Sequence, residues 1–252
     1  MEYERTPDGQ LQADFALRIG RIAKQYERLC SAIPLEERYD ATLLLSLLQA
    51  LLTNCAELLK QKPERKNPAL KQLTSRNLGQ DPTLLGFQRN SVVEQWPSSR
   101  ALTYRELLEC MRNAMSHPCA QTPEGLPQTG YTSWQSDSGV IEGFTFTQAP
   151  WVNSSGKDLK PQYMPSEAAE DAKKKLTTEM QRFEKNYHVP DLSVRSDGAG
   201  HLRIYHGDKP FVPVLRLKLD VNQLRMLTMS LSEYLAEPLE RARQQAVMHG
   251  NR

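Results

Sequence analysis

Apolar residues recur at spacings of three and four in the first part of the chain, and this pattern predicts two long α-helices. In the first helix, from about residue 10 to residue 32, they form a single stripe. The stripe consists of Leu11, Phe15, Ile19, Ile22, Tyr26 and Leu29. After Pro34, the stretch from Leu35 to Lys60 carries leucine on almost every face, which is typical of a central helix packed on several sides.

The next stretch, residues 61–100, is polar and rich in proline, so it predicts a long surface connection with a short helix near residues 68–78. A third helix is predicted from about residue 104 to residue 116. Thr103 and Glu106 have the spacing of a capping box at its start, and Pro118 marks its end. Proline disfavours helical geometry in the residue before it, so we expect His117 at the C-terminal edge of this helix.

Residues 119–218 mix loops, strand signals and one charged helix, and we expect them to form an insertion. Alternation from Val140 to Thr147 predicts a strand, and a narrow apolar face from Ala169 to Tyr187 predicts the charged helix. Three further strand signals predict a small β-meander. They lie at residues 191–195, 201–206 and 211–219.

The last helix is predicted to begin at Asp220, with Gln223 as its capping partner, and to kink or end at Pro238. The expected fold is mainly α: an antiparallel bundle of the first three helices and this one, with a small α+β insertion. The expected segments are a helical core (1–118), an α+β insertion with a β-meander (119–218) and a C-terminal helix that completes the bundle (219–252).

Composition narrows the class of protein. The formal charge of +2 excludes a strongly cationic coat protein but allows a local basic patch. The four cysteines lack metal-ligand spacing, and the N-terminus lacks the layout of a secretory signal, so we expect a reduced, cytoplasmic protein. The apolar run from Ala41 to Leu59 is interrupted by polar residues, and we expect a buried helix there and no membrane association.

The candidate chemistry lies in the segment Arg112-Asn113-Ala114-Met115-Ser116-His117. Asn113 and His117 are four residues apart and share a helix face, and the long side chain of Arg112 can reach over that face. An arginine five residues before a histidine is weak evidence by itself. The alternative interpretation is that Arg112 and His117 only cap the helix and bond neighbouring loops.

This segment resembles the motif of the HEPN family, and the start of the second helix, Tyr39-Asp40-Ala41-Thr42-Leu43-Leu44-Leu45, resembles HEPN proteins of bacterial toxin and phage-defence type. The resemblance covers about residues 10–118 and, more loosely, 220–246. It implies a metal-independent endoribonuclease without a cofactor, in which Arg112 and His117 are catalytic and Asn113 is their polar neighbour. It also implies a homodimer that brings two motifs into one cleft, since one histidine supplies only one of two proton transfers at a given instant.

Lys62, Arg65 and Lys66 give the connection after the second helix a local excess of positive charge, which predicts contacts to RNA phosphates. A solvated loop is the alternative there. The leading hypothesis is therefore an RNA-cleaving toxin or antiviral-defence effector, held in check by an antitoxin or regulatory partner. The rival hypothesis is a non-catalytic HEPN-like module that binds RNA, a nucleotide or a partner protein.

Overall fold

The computed structural model of the chain describes residues 10–30, 32–34, 40–60, 67–96, 101–117, 127–149, 164–165, 169–196 and 201–250. The α-helices of this part of the chain are α1 (Gln10–Cys30), α2 (Asp40–Lys60), α3 (Pro68–Ser75), α4 (Tyr104–Met115), α5 (Ala169–Tyr187) and α6 (Val221–Gly250). Its strands are β1 (Val92–Trp96), β2 (Gly130–Gln135), β3 (Ile141–Gln148), β4 (Met164–Pro165), β5 (Leu192–Ser196), β6 (His201–His206), β7 (Lys209–Pro210) and β8 (Val214–Asp220).

The first sheet is antiparallel and forms one wall of the core. Its strand order is β1-β8-β3-β2, so β8 pairs with two strands that precede it by a long stretch of chain. Leu217 lies opposite Val92 on one side and opposite Phe146 on the other. Phe146 belongs to the same buried cluster as Leu48 of α2 and Leu107 of α4. Helices α1 to α4, helix α6 and the first sheet therefore share one hydrophobic core.

The predicted fold class, a mainly α bundle with a small insertion, is wrong. The chain has an α+β fold with two antiparallel sheets. The apolar face of α4 packs on β2, β3 and β8 as well as on α2, so a sheet takes the place that a fourth neighbouring helix would take in a bundle. Phe144, Leu215 and Leu219 are buried in the central cluster. The core therefore crosses the boundaries expected near residues 118 and 218.

Helix α1 buries a different face from the one that its apolar stripe predicts. Its buried side chains are mostly small and include Ala16, Ile19 and Ala23, whereas Phe15 and Leu29 are exposed. The reason is a close crossing with α6, because a Cβ atom on Gly20 would lie 2.6 Å from the Oγ of Ser232. Only small residues allow two helix backbones to approach so closely, so α1 turns its small residues inward.

The stretch after α2 is not a surface connection where the structure describes it. Leu70, Leu73 and Phe87 are buried in the central cluster. A short 3₁₀ turn over Leu84–Gly86 packs against α6 with positive φ at Leu85 and Gly86. A Cβ atom on Gly86 would lie 2.7 Å from the Cβ of Met226, so glycine is required both by the backbone and by the contact.

Asn67 supplies a hydrogen-bond donor that Pro238 removes from α6. The helix continues through Pro238, so the expected alternative that it ends there is wrong, and proline has no N–H to donate to the carbonyl of Tyr234 four residues earlier. The buried Asn67 Nδ2 donates to that carbonyl oxygen at 3.1 Å. The Asn67 Oδ1 accepts from the N–H of Leu70 at 3.0 Å and caps α3. One side chain therefore serves two helices.

The second sheet has the order β4-β6-β5, with β7 paired to β6, and α5 packs on β5 and β6. The predicted β5–β6 hairpin is confirmed by its antiparallel register. The third strand predicted for the meander, at residues 211–219, exists as β8, but its place in the meander is wrong, because β8 belongs to the first sheet. The Trp96 ring of β1 lies 4.5 Å from the Phe211 ring and joins the two sheets.

Candidate active site

The local sequence explains why α4 begins where it does. The Thr103 side chain accepts from the N–H of Glu106, and the Glu106 carboxylate accepts from the N–H of Thr103 at 3.0 Å, as the capping box predicts. The inward face of α4 is apolar and fully covered. It consists of Leu107, Leu108, Cys110, Met111, Ala114 and Met115. These contacts fix the axis of α4 and therefore the direction in which its C-terminal end points.

The C-terminal end of α4 carries the candidate side chains Arg112, Asn113 and His117, here called the Arg-Asn-His cluster. The helix ends at Met115, and Ser116 keeps helical geometry as its cap. The N–H of His117 donates to the carbonyl of Ala114 at 3.0 Å, which continues the turn by one residue. His117 thus lies at the edge of the helix, as Pro118 predicts.

The position of His117 is also fixed from the first sheet. The N–H of Tyr131, in β2, donates to the carbonyl oxygen of His117 at 3.1 Å. The Tyr131 ring packs 6.1 Å from the ring of Phe144 and so anchors this end of β2 in the core. The sequence contains no local signal for this contact, because it joins residues on two different elements. The backbone of His117 is held rigidly while its side chain stays exposed.

Arg112 is oriented by its neighbour. Its Nη2 donates to the Oδ1 of Asn113 at 2.6 Å. The Ser116 hydroxyl donates to the carbonyl oxygen of Arg112 at 3.2 Å. The Nε of Arg112 is buried without a hydrogen-bond partner. In the described part of the chain no carboxylate forms an ion pair with Arg112. A half-buried arginine with no counter-charge is well suited to an anionic ligand such as phosphate.

The structure joins Arg112 to Asn113 but does not join either side chain to the imidazole of His117 by a hydrogen bond within the residues described. The imidazole is exposed and makes no side-chain hydrogen bond there. The three groups therefore share one end of α4 without forming a closed network. Such an arrangement leaves the imidazole available to a substrate or to a second protein chain.

Two further charged residues extend the outward face of α4 and were missed by the motif-based interpretation. Arg105 lies two turns before Arg112 and Glu109 one turn before it, and the two form an ion pair at 2.9 Å. Their i, i+4 spacing is a signal that the sequence alone contains. Because Glu109 already has Arg105 as its partner, it does not neutralise Arg112.

Cys55 and Cys110, the described cysteines beside α4, are poor nucleophiles. The pKa of the Cys55 thiol is raised to about 12. Burial is the main cause, the Glu109 carboxylate adds to the increase, and Arg105 opposes it by a smaller amount. Burial also raises the pKa of Cys110 well above its usual range. Both thiols therefore stay protonated at neutral pH, and neither is exposed.

The predicted RNA-binding residues Lys62, Arg65 and Lys66 lie outside the described residues. Of the other basic residues near them, Lys71 is exposed and Arg76 is paired with Asp81 at 3.2 Å. No group of three or more histidine, cysteine or acidic side chains in the described ranges could hold a metal ion. No helix of the described chain is both long and apolar enough to cross a membrane.

Comparisons with protein-family models, with curated proteins and with solved structures give no match to this chain.

Proposed function

We propose that the protein is a metal-independent endoribonuclease whose catalytic residues are Arg112, Asn113 and His117. The observation that carries this proposal is the state of Arg112: its guanidinium is oriented by Asn113 and has no carboxylate partner among the described residues. An exposed histidine lies at the same helix end. The HEPN resemblance of the segment agrees with this assignment.

The proposed chemistry uses an arginine and two imidazole groups. The RNA 2′-hydroxyl attacks the adjacent phosphorus, a new O–P bond forms and the bond to the 5′-oxygen breaks, which leaves a 2′,3′-cyclic phosphate and a 5′-hydroxyl. One imidazole takes the proton of the 2′-hydroxyl and an imidazolium gives a proton to the 5′-oxygen. Arg112 offers two donors to the phosphoryl oxygens, where negative charge develops.

The two proton transfers require two histidines at one time, and each chain supplies only His117 in this cluster. We propose a homodimer in which two α4 ends face one cleft and complete each other. The exposure of His117 supports this, because the imidazole is accessible to a second chain. A cytoplasmic toxin or antiviral-defence effector, kept inactive by an antitoxin or regulatory partner, is the biological role that we propose.

The second candidate function is a non-catalytic HEPN-like module that binds RNA, a nucleotide or a partner protein. The observation in its favour is the missing hydrogen bond between the His117 imidazole and either Arg112 or Asn113. A binding module needs the cation at the end of α4 but not a histidine aligned with it. Binding without cleavage is the result that this candidate predicts.

The test is cleavage of a mixed RNA pool in excess EDTA, with the product ends identified by mass spectrometry. We expect cyclic phosphate ends from the wild-type chain and none from Arg112→Ala. Arg89→Ala is the control, since Arg89 is an exposed arginine outside α4 and its removal leaves the neighbours of Arg112 unchanged. RNA binding without cyclic phosphate ends would favour the binding module, and equal cleavage by both arginine variants would reject the site.

A further inference from the structure

A cavity of about 860 Å³ lies at one end of the first sheet, where β2 and β3 meet the first turns of α2 and α6. The proposed active site does not use it. Its lining combines the ring of Trp134 with the charged side chains of Asp40, Glu142, Asp220 and Arg225. The volume is within the range of sites that bind small organic molecules.

Trp134 is held on the outer face of the first sheet. It lies opposite Gly143 in the register of β2 and β3, whereas the next residue of β3, Phe144, points into the core. A Cβ atom on Gly143 would lie 2.2 Å from the Cη2 of Trp134, so the indole occupies the space that a side chain at residue 143 would need. The half-buried indole is therefore a fixed flat surface on which a planar ring can stack.

Most of the charges around the cavity are already used by the fold. Arg225 pairs with Asp40 at 3.5 Å and with Glu27 at 3.0 Å. The Asp220 carboxylate caps the start of α6. Glu142 is different, because its exposed carboxylate has no hydrogen bond and no ion pair within the described part of the chain.

Glu142 and Lys218 decide the chemistry of the ligand. A carboxylate only accepts hydrogen bonds, so Glu142 selects a ligand with N–H donors. The Nζ of Lys218 lies 4.5 Å from the centre of the Trp134 ring. This ammonium group repels a second cation above the indole and attracts an anionic group. The cavity therefore fits a flat ring that carries N–H donors and a phosphate.

We propose that this cavity binds a guanine nucleotide. The guanine ring stacks on Trp134, its neighbouring N1–H and N2–H groups donate to the two oxygens of Glu142, and its phosphate lies near Lys218. The same edge of adenine or cytosine has an amino donor beside a ring nitrogen acceptor. Uracil has one N–H donor between two carbonyl oxygens. A carboxylate repels these acceptors, so it discriminates in favour of guanine.

The cavity is connected to the Arg-Asn-His cluster by one strand. Trp134 is three residues along β2 from Tyr131, a distance of about 10 Å. The N–H of Tyr131 holds the carbonyl oxygen of His117. If the proposed endoribonuclease function holds, an RNA with a guanine in this cavity is cut near that guanine. This consequence rests on the proposed function, whereas the nucleotide site does not.

The test is binding of guanosine, adenosine and uridine 5′-monophosphates to the full chain, measured by titration calorimetry. These probes contain no internucleotide bond for the proposed active site to cleave. The guanosine nucleotide should bind tighter than the other two by about tenfold or more, and Glu142→Gln should remove most of this preference. Asp137→Asn is the matched control, because Asp137 is an exposed acid of the β2–β3 turn that does not line the cavity.

Two further variants test the other contacts. Trp134→Leu should abolish binding of the guanosine nucleotide. Lys218→Ala should weaken that nucleotide severalfold and leave guanosine, which has no phosphate, unchanged. Circular-dichroism melts report folding, and the side chains of Glu142 and Lys218 are exposed, so their variants keep the test decisive even if Trp134→Leu does not fold.

Three results would overturn the proposal: no saturable binding of the guanosine nucleotide at millimolar concentration, equal binding of all three nucleotides, or an unchanged preference in folded Glu142→Gln. The two sites fail separately. Nucleotide binding by a chain that cuts no RNA would reject the endoribonuclease and support this site. RNA cleavage without any preference for guanine would reject the connection between the cavity and the Arg-Asn-His cluster.

Discussion

Helices α1 and α4 both carry an apolar pattern at helical spacing, yet only α4 buries all of its large apolar residues. The inward face of α4 holds Leu107 and Met111 with no exposed surface, whereas α1 leaves Phe15 and Leu29 in solvent and buries alanines. The neighbour of each helix makes the difference. α4 lies on a sheet that accepts large side chains, and α1 crosses α6 at Gly20, where only small side chains fit. Periodicity predicts a helix, but the shape of its neighbour decides which face is buried.

The largest effect is expected on the inward face of α4. Met111→Ala leaves a cavity in the central cluster and should lower the free energy of unfolding by about 2–5 kcal/mol. Urea denaturation followed by circular dichroism measures the change. Met226→Ala is the matched control, because Met226 is more than half exposed. If the two variants lost equal stability, the contrast between buried and exposed apolar residues would be wrong.

The next largest effect is expected at the end of the same helix, on rate and not on stability. His117→Ala should reduce RNA cleavage by about a hundredfold or more, equivalent to about 2.7 kcal/mol on the barrier, while RNA binding survives. The wild-type rate should be bell-shaped in pH, since one imidazole must be neutral and one protonated, and the variant should lose this shape. Rate measurements across pH check both statements. Near-normal cleavage by His117→Ala would remove the histidine from the mechanism.

Gly20→Ala tests the close crossing of α1 and α6. The added Cβ meets the Ser232 Oγ, and overpacking should cost about 1–3 kcal/mol, more than the roughly 1 kcal/mol that alanine gains in helix propensity. Thermal and urea denaturation measure the net loss. Adding Ser232→Ala removes the clashing oxygen and should restore most of the stability. A stabilised single variant would show that the crossing is not tight.

Arg112→Lys keeps the positive charge but loses the two-point contact to phosphate. We expect cleavage to fall by about tenfold or more, equivalent to about 1.4 kcal/mol, with little change in stability because the side chain is partly exposed. Single-turnover rates measure this loss. A fully active lysine variant would mean that charge alone suffices and that the planar fork has no role.

The smallest effect is expected on the exposed apolar face of α1. Leu29→Gln should change the free energy of unfolding by no more than about 0.5 kcal/mol, since 68% of the leucine is already exposed. Urea denaturation followed by circular dichroism is the appropriate measurement. A loss comparable to that of Met111→Ala would mean that Leu29 packs within its own chain.

Local signals predicted the parts of this molecule that depend on neighbouring residues. The capping boxes at Thr103 and Asp220 and the hairpin of β5 and β6 need only a few consecutive residues, and the structure contains all three. The contact that holds His117 to Tyr131 and the membership of β8 in the first sheet join distant segments. Alternation in β8 indicates a strand but not its partners, so the sheet at the back of α4 could not be predicted.

The hydrogen bond from Asn67 to the helix around Pro238 is another contact that the local sequence could not predict. Proline in a helical pattern is a stop signal when only the local chain is considered. In the folded chain, an amide from the beginning of α3 supplies the donor that the helix lacks, and α6 continues. The exception depends on a residue that is far away in sequence, and no periodicity within α6 indicates it.

The strand order of the first sheet also has a consequence for biosynthesis. β1 ends at Trp96 and β3 at Gln148, but the strand that lies between them in space begins at Val214. During translation, β1 and β3 therefore each have an unpaired strand edge until β8 has left the ribosome. Sheets closed by such distant segments fold slowly, and open edges favour pairing between nascent chains. High-level expression should therefore depend on chaperone supply and on slow translation. The open strand edges can pair with other nascent chains until β8 is inserted between β1 and β3.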